Sequence, residues 1–126
     1  MIIAREKGAP SIDVPEPNRR TLKVLLSPLL HEGLGSIASG LTILPPGGQS
    51  DLHAHGEGEL FYVLSGRCRI IVGDDDEELE QGSSVWAPPG LSHQLINSED
   101  EQCRILWVLS PSGRERAIIE KSKEKK

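Results

Sequence analysis

Two short stretches of the chain, Gly47-Gly48-Gln49-Ser50-Asp51-Leu52-His53-Ala54-His55-Gly56-Glu57-Gly58-Glu59 and Pro88-Pro89-Gly90-Leu91-Ser92-His93, hold three histidines and a carboxylate that one metal ion could gather. Imidazole and carboxylate suit Mn, Fe, Co, Ni, Cu and Zn, so the residue types point to a divalent transition metal. His53 and His55 stand two apart, which on a strand projects both imidazoles from one face. Gly56 and Gly58 permit a tight reversal with positive φ, returning Glu59 to the same spot at the start of the next strand, with Glu57 at the tip as the rival carboxylate. His93 follows the Pro88-Pro89-Gly90 turn into a strand whose alternate positions are Leu91, His93, Leu95 and Asn97. A histidine in such a series also fits a hydrogen-bonded core residue, and His-x-His pairs are common on surfaces. By themselves, the residues leave both readings of the cluster open.

The elements that must position these groups read as short strands. The 13 glycines and 9 prolines are spread along the chain and punctuate short apolar runs, the pattern of an all-β sandwich or barrel. Strands are expected near residues 21–26, 36–44, 50–55, 59–64, 67–73, 78–80, 84–87, 92–97 and 103–109, with no sustained helical period among them. Residues 5–18, with Pro10, Pro15 and Pro17, read as an extended arm rather than a folded element. After the last strand, Ser112 with Glu115 three residues on forms a capping-box pattern for a helix of two turns. The basic end Lys121-Ser122-Lys123-Glu124-Lys125-Lys126 reads as solvated and frayed. The run Asp74-Asp75-Asp76-Glu77-Glu78 lacks the alternating ligands and glycine of a calcium loop and reads as a solvated hairpin turn.

Strand parity adds an expectation about partners. From Glu59 the inward series is Glu59, Phe61 and Val63, yet the outward series Leu60, Tyr62 and Leu64 is also apolar. Something should cover that outer face, either a second subunit or the N-terminal arm of one, so a homodimer is expected.

With 126 residues the chain has room for one core, giving a single domain over 1–126 with a barrel core at about residues 20–110, an arm over 1–18 and a tail over 111–126. Its 14 basic against 19 acidic residues, a net charge of -5, disfavour a nucleic-acid or anionic-membrane partner. No apolar run approaches the roughly 18 residues of a membrane span, and no signal-peptide pattern is present, so a cytoplasmic location is expected. Cys68 and Cys103 each lie in an apolar strand-like run and read as buried free thiols, while His31 falls in a loop-like segment and reads as exposed.

The spacing of the two stretches extends into longer patterns. From Gly47 the chain reads glycine, five residues, His53-x-His55, three residues, Glu59, six residues, Gly66; from Gly82 it reads glycine, five residues, Pro88-x-Gly90, two residues, His93, three residues, Asn97. These resemble the two motifs of the cupin superfamily at every defining position, and the short interval between them, residues 67–81, is similar to that of small microbial cupins. The resemblance implies a double-stranded β-helix, a jelly-roll barrel, here with an extended N-terminal arm and a short C-terminal helix or frayed tail. It also implies a metal inside the barrel on His53, His55, Glu59 and His93. Mn or Fe is the native ion expected there, with Ni, Co, Cu or Zn able to take its place.

Three neutral imidazoles and one carboxylate leave a divalent ion with a net charge of about +1 and, in six-coordination, about two open positions. Such a site suits a carboxylate, enolate or α-keto acid, or dioxygen. The expected pocket lining is Phe61, Val63, Leu95, Trp86 and Trp107, with Gln49, Ser92, Gln94 and Asn97 as hydrogen-bonders around the ligands. The inward histidine–aspartate pair expected of cupin sugar epimerases is not found. The resulting expectation is a metal-dependent enzyme, dioxygenase-like or Lewis-acid, acting on a small oxygenated metabolite. The alternative of a different class is a protein that binds or senses a sugar or carboxylate through its metal without catalysis.

Overall fold

Residues Cys103–Ser110 alternate between buried and partly exposed positions, with Cys103, Ile105, Trp107 and Leu109 turned inward, the period of a half-buried strand. The computed structural model describes residues 1–124. Its strands are β1 (Ser11–Val14), β2 (Arg20–Leu26), β3 (Ala38–Leu44), β4 (Gly58–Ser65), β5 (Arg67–Val72), β6 (Asp75–Glu80), β7 (Ser84–Ala87), β8 (His93–Ile96) and β9 (Cys103–Ser110), followed by α1 (Glu115–Lys123). Antiparallel pairing gives one sheet in the order β1-β2-β3-β9-β4-β7 and a second in the order β6-β5-β8. The two sheets close on a core that includes Leu44, Phe61, Val63, Ile70, Leu95 and Ile105. This is the double-stranded β-helix with a short C-terminal helix. β4 keeps its parity: Glu59, Phe61 and Val63 are buried, while Tyr62 and Leu64 are exposed.

Several expectations need correction. The arm is extended but folded, because Ile12 and Val14 give it an apolar face and β1 pairs with β2 from Ser11↔Lys23 to Val14↔Arg20. Glu6, further out, pairs with Lys23 at 3.0 Å and with Arg104, so the arm lies on its own chain. Residues 50–55 are not a strand; only Gln49 and His53 make isolated bridges, to Ile96 and His93. Most of the acidic run is strand rather than turn: Gly73 and Asp74 turn the chain, and Asp75–Glu80 form β6. β6 is an edge strand whose carboxylates remain solvated, with Glu78 and Asp76 facing Arg67 and Arg69 on β5.

The capping box does not form. Arg114 is the N-cap, and the buried Glu115 carboxylate instead accepts from the Gly113 N–H and the Ser27 hydroxyl, each at 2.6 Å, which pins α1 to the end of β2. Residues 121–123 of the expected frayed end are helical, and Lys125 and Lys126 lie outside the described residues. His31 is partly buried rather than exposed, with Nδ1 at 3.3 Å from Ser27 N and 3.2 Å from Ser27 O in the turn after β2. Cys68 and Cys103 are free and buried side by side, and the neighbouring Cys103 thiol together with burial pushes Cys68 up.

Gly40 shows how tightly β3 passes its neighbours. It stands opposite Trp107, and a Cβ there would sit 2.1 Å from both the Lys23 carbonyl oxygen and the indole ring. Gly40→Ala is expected to destabilise the barrel by about 1–3 kcal/mol. Gly35→Ala, with nothing within 4 Å of the added carbon, should leave stability near wild type; thermal unfolding followed by circular dichroism compares the two.

Candidate metal centre

His53 reaches the site from an irregular segment that is laced to β8. Its backbone N–H donates to His93 O at 3.2 Å and its carbonyl accepts from His93 N–H at 2.8 Å. Ser50 continues the seam, donating its N–H to Leu95 O at 2.8 Å and accepting the Leu95 N–H on Oγ at 2.9 Å. The Gln94 side chain also donates to the Ser50 carbonyl at 2.9 Å. One turn on, the His55 carbonyl accepts from Gly90 N–H at 2.7 Å, which ties the first stretch to the Pro88-Pro89-Gly90 turn. Gly56 and Gly58 do not have positive φ, so the return to Glu59 needs no left-handed residue there. Gly58 is required for room instead: a Cβ would lie 2.3 Å from the Trp86 ring.

Together these elements bring His53, His55, Glu59 and His93 into one cluster whose four ligand atoms lie within 4.8 Å of one another. That is close to the spread that bonds of about 2.1 Å to a common ion require. The imidazole centroids are 4.4 Å apart for His53 and His93, 4.9 Å for His55 and His93 and 5.3 Å for His53 and His55. Glu59 Oε1 lies 3.2 Å from His55 Nε2 and 3.3 Å from His93 Nε2.

The outer nitrogens set the tautomers. His53 Nδ1–H donates to the Asp51 carbonyl at 3.0 Å and His93 Nδ1–H to the Leu91 carbonyl at 3.3 Å, so each Nε2 keeps its lone pair. His55 Nδ1 lies 3.4 Å from Glu57 Oε1, so the rival carboxylate faces the nitrogen of His55 opposite the one beside Glu59. Burial would raise the Glu59 carboxyl, but the His55 and His93 imidazoles outweigh it and hold the group below its ordinary range. Burial pulls His53 down against the opposing Asp51 carbonyl. Both shifts favour the ligating forms, carboxylate and neutral imidazole, near neutral pH.

The donor set fits a divalent metal on an observation internal to the site. His93 Nε2 is buried without a hydrogen-bond partner and faces the carboxylate and the other imidazoles, a costly arrangement that metal coordination would satisfy. The His93 side chain is 2 % exposed and that of His55 5 %, against 22 % for His53, so the cluster opens on the His53 side.

That side faces a cavity of about 260 Å³ whose wall includes His53, Glu59 and His93. Phe61, Leu95 and Trp107 line it, joined by Ile12 and Leu22 from β1 and β2 and by Ile118 from α1. The other expected lining residues lie elsewhere. Trp86 stands on the outer face, 51 % exposed, because β7 pairs with β4 in a register that puts it opposite the outward Leu60. Val63 is fully buried in the core, and the Gln49 side chain donates to Asn18 Oδ1 at 3.1 Å. Asn97 is spent on the carbonyls of Leu44, Pro45 and Glu101. Sequence reasoning missed Arg20, Arg114 and Lys121, which also line the cavity. The alternation Ile12-Asp13-Val14 was the one local signal that the arm had an inward face.

Residues 40–109 match the family described as Cupin domain. The polyketide synthase CurC of Streptomyces cyaneus is 33% identical over 100 residues, which cover 76% of this chain and 64% of that protein. Among solved structures, a predicted oxalate decarboxylase from Thermotoga maritima has a TM-score of 0.75 at 22% identity, covering 86% of this chain and 97% of that one. The polyketide cyclase RemF from Streptomyces resistomycificus also has a TM-score of 0.75, at 23% identity, covering 90% of this chain and 80% of that one. These two structures share the barrel with this chain.

Removing one donor should empty the site without collapsing the barrel. Glu59→Ala and His55→Ala are expected to lower bound metal from about one ion per chain to near zero, with the circular dichroism spectrum retained. Metal analysis of protein expressed without metal supplementation or affinity resin makes the comparison.

Proposed function

The chain belongs to the cupin domain family, and from that premise we propose that it is a metal-dependent enzyme acting on a small oxygenated metabolite. The observation that carries the reading is the opening of the His53, Glu59 and His93 cluster onto a mostly apolar cavity of about 260 Å³. That volume is at the small end of ligand sites, and its wall suits a compact, partly hydrophobic molecule. A divalent ion held by the four ligands, natively Mn or Fe in this proposal, would supply Lewis-acid or redox chemistry of the dioxygenase-like kind.

The protein's own part is positional and electrostatic. His53 and His93 are fixed by their carbonyl partners with Nε2 available, and Glu59 is kept ionised by its two imidazole neighbours. Phe61, Leu95 and Trp107 give the cavity an apolar wall beside the cluster, which strengthens these charges. The kinship with CurC, a polyketide synthase, and the shared fold of RemF, a polyketide cyclase, support oxygenated carbonyl compounds as a class worth testing first.

A second reading, a metal-anchored binding or sensing protein, is favoured by one observation. Among the described residues, the lining has no histidine beyond the ligands, and both oxygens of its other carboxylate, Glu115, are hydrogen-bonded. Reconstitution with each metal under air, followed by calorimetry and mass spectrometry of the same mixtures, separates the two. Turnover that vanishes in His55→Ala supports the enzyme. Binding without product under every metal supports the sensor, and full activity in a metal-free variant refutes both.

The proposal includes a cytoplasmic location, in keeping with the free thiols of Cys68 and Cys103, and a homodimer. No helix among the described residues is long and apolar enough to cross a membrane. Tyr62, Leu64 and Trp86 expose 38%, 39% and 51% of their surface on the outer face of the six-stranded sheet. Because β1 pairs within its own chain, a second copy of the sheet is the cover we propose. Sedimentation velocity at micromolar concentration should show a dimer that Leu64→Lys converts to monomer; a wild-type monomer refutes it.

A further inference from the structure

The cavity that receives the metal cluster also receives three cations. Arg20 comes from β2, while Arg114 and Lys121 come from the N-cap and second turn of α1, where spacings of four and three residues put Arg114, Ile118 and Lys121 on one helix face. Arg20 is the enclosed member, its side chain 13% exposed. Its Nη1–H donates to the Asn18 carbonyl at 2.8 Å and its Nη2–H to Asp51 Oδ1 at 3.3 Å. A guanidinium has five N–H donors, so Arg20 retains capacity toward the cavity. Arg114 and Lys121 have no ion-pair partner among the described residues. Glu115, the lining carboxylate on the same helix, is engaged by Gly113 and Ser27.

Arg20 is also close to the metal ligands. Asp51 Oδ1 lies 3.3 Å from Arg20 Nη2 and 3.5 Å from His53 Nδ1, so one carboxylate separates the guanidinium from a ligand imidazole. Burial pulls the Arg20 guanidinium down, Asp51 opposes this, and the charge of Arg114 adds to the burial effect. Arg20 and Arg114 are like charges that line one cavity, and only Arg20 has a carboxylate partner, Asp51; an anion between them relieves both.

Resting on the reading that a metal anchors a ligand in this cavity, we infer that Arg20, aided by Arg114 on α1, is a second anchoring pole, and that the ligand is a two-headed acid. One oxygen donor goes to the metal cluster and a second anionic group, a carboxylate by preference, goes to the Arg20 guanidinium. The apolar wall of Phe61, Leu22 and Ile118 takes the carbon chain between them. Bidentate pairing with a carboxylate is what guanidinium geometry favours, and it makes Arg20 a determinant of specificity rather than of chemistry.

The test uses protein loaded with Co(II), whose visible absorption reports ligands that reach the ion, with calorimetry alongside. Malonate, succinate and glutarate are compared with propanoate, butanoate and pentanoate. At least one dicarboxylate should bind about tenfold or more tightly than its monocarboxylate counterpart. Arg20→Met should abolish that preference at unchanged Co(II) stoichiometry, and Arg20→Lys should keep part of it. Arg114→Gln, at an exposed position where folding is not at stake, should weaken the preference by a smaller factor. Loaded wild type that shows no dicarboxylate preference overturns this inference alone, as does a preference that survives in Arg20→Met. Failure to take up Co(II) overturns it together with the metal reading beneath it.

Discussion

The backbones of His53 and His93 hydrogen-bond to each other in both directions, and this bridge joins a ligand from an irregular loop to a ligand of a regular strand. It is the central link of a series, with Ser50 on Leu95 before it and His55 on Gly90 after it, that sets the depth of the segment between β3 and β4. With it, the rings stand 4.4 Å apart, and the same seam continues through Ser50 and Leu95. His55 and Glu59 follow from that anchorage: one is held through Gly90, the other by the pairing of β4 with β7 and β9. Burying four polar groups together is costly, and the lowering of both Glu59 and His53 favours carboxylate beside neutral imidazole at those two positions.

Two kinds of structure meet at the cavity. Its floor is the facing sheets, where β9 supplies Trp107 and β4 supplies Phe61 on strands paired on both sides. Its rim is made by β1, by β2 and by α1, and α1 is secured by one buried carboxylate, Glu115, to Ser27 and Gly113. The floor fixes Glu59 and His93 on hydrogen-bonded ladders. Within the rim, β1 and β2 are ladder-paired, whereas α1 is held by side chains, Glu115 and the buried Ile119 among them, and is the part most easily displaced.

Much of this was legible in the sequence where a physical period or a steric demand writes itself into residue types. β4 and β9 announced their inward faces by alternation, and Gly47, Gly66, Gly82 and Gly90, which frame the two motifs, all adopt positive φ. The metal cluster of His53, His55, Glu59 and His93 was legible only through the resemblance to cupins that those frames carry. What stayed hidden lacks a local signature. β6 is solvated and acidic, so no alternation marks it as strand; β1 is four residues long and lies among prolines. The side on which Trp86 emerges depends on a register across turns. Ser112 and Glu115 have capping-box spacing, but a distant hydroxyl, Ser27, competed for the carboxylate. Arg20 is an ordinary strand arginine until the helix closes over it.

The segment that matches the family, residues 40–109, contains every ligand, yet Ile12, Arg20, Leu22, Arg114, Ile118 and Lys121 of the cavity wall all lie outside it. The four-residue cluster and this part of the cavity wall therefore lie in different stretches of the chain, and can vary independently. Exchange of the two chain ends would reshape the cavity wall while the four clustered side chains stay untouched. Kinship judged on the shared barrel alone does not reach this part of the cavity wall, which is written in the two ends of the chain.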